Sequence, residues 1–165
     1  MNISDYPLLT CQLPQKIKKV WLAQAIISFL LSVLILLVLY WVAENFFSWS
    51  WVPLAGMILA VIFLLMLVSE IILIPYRYAF DRFQINSSEL ALQEGFFFRK
   101  TTFVPIIRIQ HVEMHQGPLM RTQHLASLII HTAATTHEIH GLTLNDASRF
   151  REQIIELVQA VKEDV

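Results

Sequence analysis

The stretch "WLAQAIISFLLSVLILLVLYWVA", residues 21–43, contains no charged side chain. A second, "VPLAGMILAVIFLLMLVSEIILI" (52–74), contains only Glu70. A hydrocarbon core about 30 Å thick takes about 20 helical residues to cross, and each stretch is long enough. Lys16, Lys18 and Lys19 precede the first stretch, as they would in a signal peptide. Its apolar run, however, exceeds the roughly 7–15 residues of such a leader, and no small-residue cleavage site follows. Both stretches read as membrane spans.

The rest of the composition agrees. Of 165 residues, 56% are hydrophobic, against about 45–50% in soluble domains. Mean hydropathy is +0.56, and the apolar excess sits in the two spans. Twelve basic and thirteen acidic residues nearly balance, which argues against a nucleic-acid partner. A single cysteine, Cys11, excludes an internal disulfide and any CxxC spacing.

Between the spans lies "ENFFSWS", a short connection, and Pro53 suits the first turn of the second helix. The two spans therefore form a helical hairpin. Tyr40, Trp41, Phe46, Phe47, Trp49 and Trp51 gather at its closed end, where interfacial aromatics belong. That end has Glu44 but no Lys or Arg, whereas Lys16, Lys18, Lys19, Arg77 and Arg82 flank the open end. The positive-inside rule places both termini in the cytoplasm and the protein in the inner membrane as a multi-pass protein. Residues 1–20 then form a cytoplasmic segment, 21–74 the hairpin and 75–165 a cytoplasmic domain. Glu70, a membrane-embedded acid, is expected about one turn from its helix end, within snorkelling reach of the interface and of a cation such as Arg77.

After Pro75 the periodicity changes to short β runs. They are "YRYAFDRFQI" (76–85), "LALQE" (90–94), "FFFRKTTFV" (96–104), "IIRIQHVEMHQ" (106–116), "LASLIIHTA" (125–133) and "HEIHGL" (137–142). Ala147, Phe150, Ile154, Leu157, Val158 and Val161 then fall at helical spacing, with Asn145 or Asp146 as the expected cap. Six strands and one closing helix describe a small α+β roll or barrel.

The order of the elements is specific. Tyr76-Arg77-Tyr78, the Gly95 hairpin, Val104-Pro105 and Arg108-Ile109-Gln110 come first. Gln116-Gly117-Pro118-Leu119, Arg121, Leu125-Ala126 and Thr132-Ala133 follow. Together they resemble the bacterial pleckstrin-homology-like (PH-like) domain of YdbS-type membrane proteins, and the two-span hairpin is that family's layout. One departure is His124, where the family usually has glycine. The resemblance implies a PH-like β-sandwich or barrel capped by the C-terminal helix, and no established enzymatic activity. It also implies a larger membrane partner with related domains, or self-association, and a link to envelope stress and tolerance of antimicrobial peptides.

Three stretches are candidate sites. In "QHVEMHQ" (110–116) alternation puts His111, Glu113 and His115 on one strand face, a possible donor set for zinc or iron. The same phase would put Ile107 and Ile109 on that face, so an exposed strand face is the simpler reading, and no metal or cofactor is assigned. His131, His137 and His140 lie elsewhere in the sequence. In "GFFFRK" (95–100) aromatics beside cations suit a lipid headgroup interface, but strand alternation, with Phe96 and Phe98 inward and Phe97 and Arg99 outward, accounts for most of the run. In "QGPLMR" (116–121) Gly-Pro breaks the strand and Pro118 opens a turn of helix carrying Arg121. No GxSxG, HExxH or glycine-rich phosphate loop is present.

These readings combine into a non-catalytic interaction or scaffold module. Arg77, Arg99, Lys100, Arg108 and Arg121 are its expected polar contacts with membrane lipid or a partner. A lipid-headgroup sensor, or a small oligomeric transport component using Glu70, is the alternative.

Overall fold

The computed structural model describes residues 9–46, 51–95 and 99–163. Phe47, Trp49 and the Phe96–Phe98 run of the candidate lipid motif lie outside them. The chain contacts separate two compact units: Trp21–Ile74, and the described chain on either side of it.

The first unit consists of the greater part of α1 (Ile17–Phe46) and α2 (Val52–Phe80). Thirty residues at 1.5 Å each give α1 a length of about 45 Å, ample for a hydrocarbon core. Apolar side chains dominate all sides of both helices, broken on α1 by the short row Gln24, Ser28 and Ser32, and Leu30, Leu34, Leu54 and Met66 are all exposed. Apolar surface on every side is the property of a span rather than of an amphipathic core helix. The helices meet where a Cβ on Gly56 would lie 3.4 Å from the Tyr40 ring, so the missing side chain allows close approach.

The second unit contains two antiparallel sheets. One has the order β1-β2-β3-β4, from Cys11–Gln12, Arg82–Ile85, Glu89–Glu94 and Lys100–Pro105. The other is β5-β6-β7, from Ile109–His115, Leu125–Thr132 and Thr136–Thr143. A 3-10 turn, Ile106–Arg108, passes the chain between the sheets, and α3 (Pro118–Thr122) links β5 to β6. The last element, α4 (Leu144–Glu163), packs on the 3-10 turn, β5, β6 and β7. Leu90, Ile106, Leu128, Ile130, Ala147 and Ile154 are fully buried between these layers. Phe83 meets Phe150 of α4 edge-to-face at 5.3 Å, a favoured aromatic geometry.

Several expectations change. Residues 76–80 continue α2 through Pro75 instead of starting a strand, and β2 begins only at Arg82. Glu70 therefore lies about ten residues, or roughly 15 Å, before the helix end, not one turn from it. The segment before α1 is more than a basic approach to a span. It supplies β1, and Leu9 N–H donates to the side-chain oxygen of buried Gln93 at 3.3 Å. Buried polar groups need such partners, and this bond gives one to Gln93 of β3. The cap of α4 is Thr143, whose hydroxyl accepts from the Asp146 amide at 3.1 Å and donates to its carboxylate at 2.7 Å. Asp146 is thus the acid at the third helical position, near the positive end of the helix dipole, rather than the cap.

Two bulges set the phase of the second sheet. Ile109 pairs with Thr132 and His111 with His131, leaving Gln110 extra; Ile109 is buried while His111 is exposed. Ile109 therefore does not share the face of His111, as unbroken alternation required. In β7 the register shifts between Ile139 and Leu142, and Gly141 takes φ 68. A Cβ there would run into the side chain of Ile17, the fully buried first residue of α1.

Candidate functional site

Where the two sheets exchange the chain, the surface opens into a groove of about 420 Å3. One wall is the end of β4 and the 3-10 turn, with Phe103, Ile107 and Arg108. The other is the turn between β6 and β7. Ile107 is 55% exposed and Phe103 42%, unusual for large apolar side chains at strand ends. Exposure follows from sequence order: Ile106 is drawn fully into the core, so its neighbour in the tight turn must face out. Residues 132–135 form a rigid opposite wall. The Thr132 hydroxyl donates to the Thr135 carbonyl at 2.8 Å and accepts from the Thr135 amide at 3.0 Å. The Thr135 hydroxyl lies 2.9 Å from His137 Nε2. Beside this groove β4 is the outer strand of its sheet, and such an edge presents backbone groups to a further strand.

The five cations singled out in the sequence fall into separate places: Arg77, Arg99 and Lys100 adjoin the end of α2 and of β3, while Arg108 lies on the groove and Arg121 on α3. Arg108 stands on the groove and is exposed. Lys100 marks the other end of β4, about 17 Å from Pro105 at roughly 3.3 Å per residue. Arg77 is paired with Asp81 at 3.3 Å, one helical turn on, with the arginine side chain exposed and the carboxylate half-buried. Burial pushes the Asp81 carboxyl above the usual range, Arg77 opposes this, and Glu94 adds to it. Arg99 lies over the Phe80 ring, 4.9 Å from its centre. Arg121 is exposed on α3, whose approach is tied down by Gln116 Nε2 donating to the Leu125 carbonyl at 2.7 Å. Arg82, read only as part of a basic margin, donates to the carbonyls of Leu9 and Ala79. Glu70 is exposed on the surface of α2.

The outer face of the β5-β6-β7 sheet holds the histidine cluster. The Gln110 bulge places His111 directly opposite His131. His111 Nε2 and Glu113 Oε1 are 2.6 Å apart, and His131 Nε2 is 3.7 Å from Glu113 Oε2. His131 thus completes the group of His111 and Glu113, the place that simple alternation gave to His115. Finding this from sequence required the cross-strand register, which depends on a bulge with no glycine or proline to announce it.

Comparison with known proteins places this architecture. The family model described as "Bacterial PH domain" matches residues 13–158. The chain is 34% identical over 148 residues to the UPF0699 transmembrane protein YdbS of Bacillus subtilis (strain 168), covering 89% of this chain and 91% of that protein. No solved structure matches the chain.

Proposed function

The chain belongs to the bacterial PH domain family, and on that premise we propose that it is a membrane-anchored, non-catalytic interaction module. It is a membrane protein with a PH-like domain. In this reading both termini are cytoplasmic and the hairpin holds the domain at the inner face, following the excess of Lys and Arg beside the open end.

The groove carries the reading. It joins exposed apolar side chains, an arginine and an outer strand, the combination that suits an extended protein segment. Strand addition along β4 supplies main-chain hydrogen bonds, Ile107 and Phe103 receive an apolar side chain, and Arg108 meets an acidic one. The occupant is a segment of another membrane protein, with related domains or a second copy of this chain. Of the five cations, Arg108 lines the groove, and its exposed apolar neighbours Phe103 and Ile107 favour a protein segment there over a lipid headgroup. The setting implied by the resemblance, tolerance of membrane-active peptides, is the phenotype to score.

Gentle detergent extraction followed by co-purification tests this. Wild type is expected to retain a stoichiometric membrane-protein partner or a second copy, and Ile107→Glu with Arg108→Glu to lose it while keeping native circular dichroism. Wild type recovered as a monomer carrying only lipid would transfer the reading to headgroup sensing.

A further inference from the structure

We propose that His111, Glu113 and His131 form a binding site for one divalent transition-metal ion of the zinc class. Each residue offers one donor atom, and the three atoms lie within 4.8 Å of one another. Two strands build the site. The bulge at Gln110 brings His111 level with His131, and Glu113, two residues on, shares the face of His111. The two imidazole rings meet edge-on at 5.0 Å, with Glu113 able to reach both.

The decisive atom is His131 Nε2. It is buried and has no hydrogen-bond partner, a costly state for a polar atom. Its distance of 3.7 Å from Glu113 Oε2 is too long for a hydrogen bond. Donors around a tetrahedral ion with bonds near 2.1 Å stand about 3.4 Å apart, inside the range from 2.6 Å to 4.8 Å that these atoms cover, so small side-chain rotations seat an ion. The other ring nitrogen is held: His131 Nδ1 lies 3.2 Å from the Thr136 hydroxyl, its neighbour across β6 and β7. In the tautomer whose Nδ1–H donates to the Thr136 hydroxyl, Nε2 carries the free lone pair and is the atom that binds the ion. This arrangement, a ligand histidine oriented by a second partner, is what raises metal affinity at protein sites.

Two imidazoles and one carboxylate select borderline ions over Mg2+ or Ca2+, which take oxygen donors. Three protein ligands leave a further position for water or an incoming group. The ion would clamp β5 to β6 on the sheet face that α4 does not cover.

The test uses the full chain in detergent, purified without a histidine tag and stripped with chelator. Zn2+ is titrated against a chromophoric competitor, and Co2+ is followed by its visible absorption. Wild type is expected to bind one equivalent, with excess Mg2+ not competing. His111→Ala and His131→Gln should each weaken binding at least tenfold, Thr136→Val about tenfold, and His115→Ala not at all. Metal-free melting of each variant separates lost ligation from lost folding, and Thr136→Val carries the test if a strand histidine proves indispensable for the fold. Absence of saturable binding by wild type, or undiminished binding by a folded His131→Gln protein, overturns the proposal. So does loss of binding on His115→Ala, which would mean that the simple strand face, and not the cross-strand pair, holds the ion.

Discussion

His124 sits at φ 55, in the left-handed region where a Cβ crowds the following carbonyl. It ends α3, with its amide donating to the Arg121 carbonyl at 3.2 Å, and turns the chain into the fully buried Leu125. Glycine, with no Cβ, would take this conformation without the crowding. Replacing His124 with glycine should stabilise the domain by up to about 1 kcal/mol, whereas a β-branched valine should cost more than about 1 kcal/mol. Urea midpoints read by pulse proteolysis would show the two shifts in opposite directions. Gly141 is the less tolerant position, since any side chain there meets Ile17 and the backbone is left-handed as well. Gly141→Ala should cost about 2–4 kcal/mol in the same assay. Shortening Ile17 to alanine in that background should recover only the steric part. The departure at 124 was visible in the sequence, but the left-handed turn behind it was not. Gly141 looked like any glycine in a strand, because the side chain it must admit lies more than a hundred positions away.

At the scale of elements, periodicity carried most of the fold. The apolar runs gave α1 and α2, the Gly95 turn separated β3 from β4, and Ala147, Phe150 and Ile154 marked the inner face of α4. Proline misled at position 75, because a helix in or beside a membrane tolerates an interior proline better than one in water. Alternation misled along residues 107–111, where the tight turn and the bulge each shift the phase. The α4 cap was displaced by two or three residues, since Thr143 also belongs to β7. Thr143→Ala should cost about 1 kcal/mol and quicken exchange of the Asp146 amide about fivefold, as measured by native-state hydrogen exchange. The groove depended on which of two adjacent isoleucines faces out, and hydropathy cannot distinguish Ile106 from Ile107.

For the whole molecule, the expected topology gives both ends the same side of the membrane. A reporter fused after Val165 and one fused before Met1 should both be active only in the cytoplasm, and either one exposed outside intact cells would refute the arrangement. The covalent order of the lobe has a further consequence during synthesis. The strand Cys11–Gln12 leaves the ribosome first, yet the strand it pairs with follows roughly 70 residues later, after both greasy rods. Gly141, against which Ile17 packs, comes more than a hundred residues after it, which at about 5–20 residues per second is a wait on the order of ten seconds. The membrane segment is thus an insert in the sheet-bearing lobe's own chain, and closure of the lobe comes only after both helices have been made. A fragment beginning at Pro75 would lack an edge strand and an anchoring isoleucine, so the excised lobe is a poorer protein than the intact chain.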